Sequence, residues 1–215
     1  MHILLVHGLG RSPLSLLRLA RDLQRAGHST ELAGYVAAVE HFPRIRARIR
    51  RRLRRIAATG QPYAAIGHSL GGVLLRTALV GWPPDLRPPQ HLVMLGTPDR
   101  PPRLARRLRW WWPYRLLNGQ TGQLLARQTF FDALPRVTVP CTVIAGTRGW
   151  RSVRAPFAGI DNDGIVAVPE VRPSTGAAFV PLPVGHTFMM NDPRVRTLVR
   201  AILTHAVSMS PTESR

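Results

Sequence analysis

Three residues spread over more than half of the chain could together do nucleophilic chemistry. Ser69 is the centre of Gly67-His68-Ser69-Leu70-Gly71, a G-x-S-x-G pattern. In that pattern a sharp turn between a strand and a helix exposes the serine hydroxyl. The hydroxyl is a weak nucleophile at neutral pH, so it needs a base within hydrogen-bond reach. His186 could be that base, and Asp163 could orient it.

Five short apolar segments, together with the mixed segment 28–35, predict the strands that must hold these residues. They cover residues 3–6, 28–35, 63–66, 90–95, 137–145 and 177–182. Continuous apolar runs of this length fit strands buried on both faces. Because helix-like patterns separate most of them, we predict an α/β fold with a doubly wound, mostly parallel sheet of about six strands. Ser69, Asp163 and His186 each follow such a strand, so we expect them at one rim of the sheet.

Several local motifs carry a resemblance to a known family. They are VHGLG at 6–10, GHSLGG at 67–72, LGTP at 95–98, NDGIV at 162–166 and GH at 185–186. With these motifs the chain resembles the α/β-hydrolase superfamily over residues 1–206. It is similar to its small serine esterases and lipases, such as compact bacterial lipases and the lipase-like inositol-deacylase group. The order Ser, Asp, His along the chain is the one that this fold uses.

The resemblance implies a minimal α/β-hydrolase fold and hydrolysis of a carboxylic ester through a covalent acyl-enzyme. Ser69 would be the nucleophile, His186 the general base and Asp163 the acid that orients it. The backbone N–H groups of Leu9 and Leu70 would form the oxyanion hole. No metal and no organic cofactor is implied. The substrate would be an acyl ester, either a small molecule or a lipid.

Two aspartates compete for the acid position. The family pattern places the acid immediately before Gly-x-Val, which selects Asp163 over Asp161. Either residue could instead be a turn-forming aspartate. Two further histidines have simpler interpretations, since His68 would pack near the nucleophile and His7 would order the oxyanion loop.

The composition limits the class of protein. The 215 residues carry 30 basic and 11 acidic side chains, a net charge of +19, and every basic residue is arginine. A hydrophobic share of 45% excludes global disorder. One cysteine, Cys141, excludes a disulfide framework and is expected to be a buried small residue. No apolar run approaches the roughly 20 residues that span a bilayer. With no charged leader at the start, we expect a cytoplasmic protein, with peripheral contact at the inner face of the membrane as an option.

A stretch rich in arginine and tryptophan interrupts the alternation of strands and helices after residue 98. We expect a single domain over 1–208 with an insertion at 99–135, and a frayed tail at 209–215. Arginine beside tryptophan suits a membrane interface. The insertion could therefore be a small lid or a docking patch, formed by Arg106, Arg109, Trp110, Trp111 and Trp112. The alternative is a packed loop whose tryptophans cover the sheet.

Two other functions stay open from the sequence. The same triad could transfer the acyl group to an alcohol, which would make the chain an acyltransferase. Alternatively, the hydrolase scaffold could be a non-catalytic module, with its +19 charge directed at a polyanion or an anionic membrane. No motif for a specific nucleic acid is present, and the sequence predicts no oligomeric state.

Overall fold

A six-stranded sheet runs through the centre of the protein. The computed structural model describes residues 1–150, 152, 156–174 and 176–208, so the predicted tail at 209–215 lies outside the described residues. The strands are β1 (His2–Val6), β2 (Ser29–Ala33), β3 (Tyr63–His68), β4 (Leu92–Leu95), β5 (Cys141–Gly146) and β6 (Ala178–Leu182). Their order is β2-β1-β3-β4-β5-β6, and every neighbouring pair is parallel. The predicted parallel sheet is confirmed.

Helices cover both faces of this sheet. They are α1 (Leu17–Arg25), α2 (Phe42–Ala57), α3 (Leu70–Ala78), α4 (Arg103–Leu108), α5 (Trp112–Leu124), α6 (Gln128–Asp132), α7 (Val168–Val171) and α8 (Pro193–Ser208). Short 3-10 turns lie at Pro13–Leu16 and Met189–Asn191. One apolar cluster holds α1 and α8, and a second cluster on the other face holds α2 and α3. The sheet is therefore doubly wound, as predicted.

Strand β1 shows how the sequence produces this layering. Its residues alternate between the two faces, so that Ile3 and Leu5 enter one cluster while Leu4 and Val6 enter the other. All four side chains are fully buried. Burying a side chain of this size stabilises the fold by roughly 1.5–3 kcal/mol. A continuous apolar run is therefore the pattern that a central parallel strand requires.

Several strand boundaries differ from the sequence prediction, and two of the differences have a clear local reason. Strand β5 begins at Cys141 rather than at residue 137, because Pro140 has no N–H to give to the sheet. Its carbonyl still accepts a hydrogen bond from the amide of Leu92 at 2.8 Å. Strand β2 ends at Ala33 rather than at residue 35. There the amide of Tyr35 donates to the ring of His7 instead of to a neighbouring strand.

The insertion after residue 98 contains α4, α5 and α6. Helix α5 is kinked at Gly119, whose φ of 54° and ψ of −154° are not helical. A Cβ at Gly119 would lie 2.5 Å from the carbonyl oxygen of Ala38, so α5 packs directly on the loop after β2. Asn118 on the same helix faces Gly10, in the loop after β1. The insertion thus lies against the loops at the carboxyl ends of the strands.

Among the described residues, no helix is both long and apolar enough to cross a membrane.

Candidate active site

Ser69 occupies a strained turn between β3 and α3. Its φ of 52° and ψ of −119° lie in a region that residues with a side chain rarely adopt. Such a conformation costs about 1–3 kcal/mol and persists only where the surroundings enforce it. Its amide donates to the carbonyl oxygen of Leu95 at 2.8 Å, which ties the turn to the end of β4. The serine is thereby held at the carboxyl edge of the sheet.

Two glycines make this turn sterically possible. A Cβ on Gly67 would lie 2.6 Å from the carbonyl carbon of Gly71. A Cβ on Gly71 would lie 2.7 Å from the carbonyl oxygen of His7 and would overlap that of Val6. Real Cβ atoms essentially never come so close to backbone atoms. Gly67 is therefore required by the close approach of α3 to the end of β3, and Gly71 by the close approach of α3 to β1.

Asp163 and His186 form a buried pair at the same edge. Nδ1 of His186 lies 2.6 Å from Oδ2 of Asp163, and both residues are buried. Their backbones are also joined, because the amide of His186 donates to the carbonyl oxygen of Asp163 at 2.9 Å. An ionised carboxylate can only accept, so the imidazole must carry its proton on Nδ1. Nε2 is then left as a proton acceptor.

The carboxylate of Asp163 is fixed from its other side. Its Oδ1 accepts hydrogen bonds from the amides of Ile165 at 3.0 Å and Val166 at 2.7 Å. The neighbouring Asn162 is buried and ties the loop together, since its Nδ2 donates to the carbonyls of Trp150 and Ile160. Asp161, the competing aspartate, is exposed. The structure therefore joins Asp163, and not Asp161, to the histidine.

The imidazole of His186 lies close to Gly96 and His68, two residues next to the turn that carries Ser69. A Cβ on Gly96, which follows the Leu95 carbonyl bonded to Ser69, would lie 3.0 Å from Nδ1 of His186. The ring of His68 is 4.9 Å from that of His186, between centroids. Among the described residues, Ser69 Oγ makes no hydrogen bond to His186 Nε2. The structure thus joins Asp163 to His186, and the Leu95–Gly96 segment and His68 link the turn of Ser69 to the same histidine.

His68 forms a hydrogen bond with the backbone of His186. Its Nε2 lies 3.0 Å from the carbonyl oxygen of His186, to which it must donate, because a carbonyl can only accept. Burial, and then the nearby His186, hold the pKa of His68 well below its usual value, so the ring is neutral. Its Nδ1 faces Gly8, where a Cβ would lie 2.8 Å away. The sequence predicted that His68 packs near the nucleophile, but not this bond.

The loop after β1 passes close to the serine, since a Cβ on Gly8 would lie 3.1 Å from Cβ of Ser69. His7 Nδ1 donates to the carbonyl oxygen of Gly8 at 2.9 Å. That carbonyl and the N–H of Leu9 belong to one trans peptide and point in opposite directions, so the bond turns the N–H away from His7. Leu70, the second predicted donor, is the first residue of α3. Its amide lies at the positive end of that helix.

Tyr35 is a site-supporting residue that the sequence did not indicate. Its hydroxyl donates to the carbonyl oxygen of His7 at 2.7 Å, and its ring stacks on the imidazole with centroids 4.1 Å apart. Its amide approaches His7 Nε2 at 3.4 Å, which leaves Nδ1 as the protonated nitrogen. Burial lowers the pKa of His7 and keeps the ring neutral. No local sequence signal links two residues that are 28 positions apart.

Other titratable residues lie apart from this cluster. Cys141 is buried in β5, as expected for a small apolar residue, and burial raises the pKa of its thiol to about 12. Among the residues that the structure describes, no three His, Cys, Asp or Glu side chains are grouped so that they could hold a metal ion.

Comparison with known proteins gives a consistent result for the fold. No family model matches the sequence, and no curated protein matches it either. Among solved structures, the mature lipase BlEst2 of Bacillus licheniformis is similar with a TM-score of 0.68 and 18% identity, over 94% of this chain and 90% of that one. The chain has the α/β-hydrolase fold.

Two further solved structures with this α/β-hydrolase fold are similar over most of their length. One is from work on LipS and LipT, two metagenome-derived lipolytic enzymes, with a TM-score of 0.69 and 17% identity, over 96% of this chain and 93% of that one. The other is the RedJ thioesterase of Streptomyces coelicolor, with a TM-score of 0.63 and 16% identity, over 96% of this chain and 90% of that one. At these identities the likeness concerns the fold and not the reaction.

The predicted patch residues lie on the insertion of this α/β-hydrolase fold, and their aromatic members face solvent. Trp110, Trp111 and Trp112 are 73%, 58% and 71% exposed. The guanidinium of Arg109 lies over the ring of Trp110 at 4.6 Å, and Arg106 is exposed. The alternative in which these tryptophans cover the sheet does not hold.

Proposed function

We propose that the chain is a serine hydrolase that cleaves carboxylic esters, with Ser69 as nucleophile, His186 as base and Asp163 as the residue that orients it. The observation that carries the proposal is the buried bond between Asp163 and His186 beside a strained serine turn. Strained backbone conformations such as the positive φ of this serine cluster at functional sites, and nucleophilic catalysis would account for this one. The names of the similar structures, which include a lipase and a thioesterase, support the same reaction class.

In the first step, the oxygen of Ser69 would attack the carbonyl carbon of the ester. Nε2 of His186 would accept the hydroxyl proton as the new C–O bond forms. The resulting imidazolium would be stabilised by the carboxylate of Asp163 2.6 Å from Nδ1. The same proton would then pass to the leaving alcohol as its bond to the carbonyl carbon breaks. The hydrogen bond between Ser69 and His186 is expected to form on substrate binding, because catalytic hydrogen bonds often tighten only in the complex.

The negative charge on the carbonyl oxygen would be held by the amides of Leu9 and Leu70. Removing one such donor typically costs about 2.7–4 kcal/mol of transition-state stabilisation. Both donors are backbone groups, so replacing either side chain should hurt less than replacing Ser69. In the second step water would attack the acyl-enzyme, with His186 acting first as base and then as acid. An alcohol taking the place of water would give acyl transfer instead.

The test is reaction of the purified protein with a fluorophosphonate probe and with p-nitrophenyl esters of increasing acyl length. We expect labelling and turnover by the wild type, and loss of both in Ser69→Ala. Ser15→Ala, which changes a partly exposed serine in the turn before α1, is the matched control and should keep both. Product analysis with added alcohol separates hydrolysis from acyl transfer. Labelling that survives Ser69→Ala, or no turnover of any ester, would reject the proposal.

A further inference from the structure

The exposed apolar side chains of the described residues concentrate at one rim of the sheet. Twelve large hydrophobic residues are exposed: Leu14, Val36, Val39, Val80, Trp110, Trp111, Trp112, Leu116, Leu117, Trp150, Ile165 and Phe188. All except Val80 lie in segments that follow the carboxyl end of a strand. In a parallel sheet these ends share one edge, which here also carries Ser69. Val80 follows α3 and belongs to the opposite edge.

Direct contacts confirm that these segments meet. Helix α5 carries Leu116 and Leu117, and its Gly119 packs on the carbonyl of Ala38, between Val36 and Val39. The ring of Phe188 lies 5.1 Å from the guanidinium of Arg11, in the loop after β1. The carbonyl of Trp150 is bonded to Asn162, next to Asp163. The exposed apolar groups therefore surround the candidate active site.

Within this rim, the start of α5 forms an apolar ridge. Trp112 and Leu116 are one helical turn apart and, with Arg115, line an open groove along the helix. The backbone of the tryptophan segment is held in place, since the side-chain amide of Gln123 donates to the carbonyl oxygen of Arg109 at 3.1 Å. A ridge of exposed indole and leucine side chains on an anchored backbone is costly in water, so its presence calls for a surface that covers it.

The charge around this ridge is of one sign. Residues 100–131 contain seven arginines and no aspartate or glutamate. Arg106, Arg107 and Arg115 are exposed, and the ion pairs of the described residues include none of them. Two acidic groups near the rim are paired with arginine, Glu40 with Arg48 and Glu170 with Arg103. The rim thus combines an apolar ridge with uncompensated positive charge.

We propose that this rim docks on a lipid bilayer that carries anionic phospholipid headgroups. Indole rings are enriched at headgroup depth, where arginine meets phosphate, while leucine side chains can enter the acyl layer. A nucleic acid would bind the arginines through its phosphates but would not cover the exposed Leu116 and Leu117. Docking through this rim would bring Ser69 towards the membrane. Combined with the proposed function, on which this step rests, the ester substrate is one presented by the lipid layer.

Vesicle sedimentation tests the docking without any need for activity. Wild-type protein is mixed with phosphatidylcholine vesicles, or with vesicles in which about a third of the lipid is phosphatidylglycerol. We expect at least about tenfold tighter binding to the anionic vesicles. Replacing Trp111 and Trp112 together by alanine should weaken that binding by about tenfold or more. Equal binding to both vesicles, or no effect of the tryptophan replacements, would overturn the proposal.

A matched pair of charge variants separates a docking rim from general attraction by a +19 protein. Arg106→Glu with Arg107→Glu reverses two charges at the rim. Arg51→Glu with Arg54→Glu makes the same net change on the exposed face of α2, towards the end of the helix that lies away from the rim. We expect about tenfold or greater loss for the rim pair and less than about threefold for the α2 pair. Equal losses would mean non-specific electrostatics and would overturn the proposal.

Two further measurements complete the test. Thermal unfolding of each variant checks that the fold is intact, because surface substitutions of this kind usually change stability little. A DNA duplex that binds the wild type as tightly as anionic vesicles, with no effect of the tryptophan replacements, would favour a polyanion module and reject the bilayer. Vesicle binding by a protein that hydrolyses no soluble ester would support docking while rejecting the proposed function, so the two failures are distinguishable.

Discussion

Replacing Asp163 by asparagine should move the imidazole proton of His186 from Nδ1 to Nε2 without disturbing the fold. Asparagine has the same shape but carries one acceptor oxygen and one donor NH₂ group. Two backbone amides, from Ile165 and Val166, point at Oδ1 of Asp163. The amide oxygen of the variant must stay there, because an NH₂ group would face two donors. The NH₂ group is then forced towards His186 Nδ1, at the 2.6 Å position of Oδ2.

This arrangement makes Nδ1 an acceptor and leaves the imidazole proton on Nε2. A protonated Nε2 cannot accept the proton of Ser69. The loss of a correct tautomer costs about 10⁴-fold in kcat in a serine triad, equivalent to about 5.4 kcal/mol of barrier. We therefore expect hydrolysis of a p-nitrophenyl ester by Asp163→Asn to fall by about that factor. KM should change little, because Asp163 is buried and both of its oxygens are bonded within the protein.

Asp161→Asn is the matched control, since it makes the same change two residues away at an exposed position. It should retain activity within about twofold. Circular dichroism and thermal unfolding would show whether both variants keep the fold. Near-normal activity in Asp163→Asn, or an equal loss in Asp161→Asn, would refute the assignment of the acid.

Two other predictions concern stability. Gly71→Ala should lower the free energy of unfolding by more than about 3 kcal/mol in urea denaturation, because its Cβ would clash with the backbone of β1. The control is Gly60→Ala, where the only strain comes from a φ of 70°, and it should cost about 1–2 kcal/mol. Equal costs for the two variants would contradict the steric argument. The lowered pKa of His68 means that the unfolded chain binds more protons below about pH 6.5, so stability is full above that pH and falls as the pH drops through it, by up to about 1.4 kcal/mol per pH unit. Denaturation between about pH 7.5 and about pH 5 should show a flatter slope in His68→Gln, and an unchanged slope would show that His68 does not cause it.

The architecture could be predicted from the sequence because it depends on short-range patterns. A run such as residues 3–6, apolar at every position, can be buried only between two layers, and it forms the central strand β1. Strand ends were less predictable. The early start predicted for β5 ignored the missing N–H of Pro140, and the late end predicted for β2 ignored the bond from Tyr35 to His7.

Part of the candidate site was also readable in local motifs. The glycines around Ser69 indicated a tight turn, and the order of motifs indicated which loops would meet. The structure adds the bond between Asp163 and His186, while the catalytic roles of these residues and of Leu9 and Leu70 stay predictions. The sequence showed that the insertion is rich in arginine and tryptophan. It did not show that the tryptophans face solvent, because the exposure of Trp110–Trp112 depends on how α5 packs against the loops after β1 and β2.

What the sequence determined by itself is the set of elements and the chemical groups at their ends. Periodicity, proline and glycine act within a few residues of one another, so their effects can be read along the chain. Only the tertiary structure decided which supports surround those groups. The bond from His68 to the carbonyl of His186 joins residues 118 positions apart, and Tyr35 reaches His7 across 28. Such contacts arise from the packing of whole layers, and no local pattern encodes them.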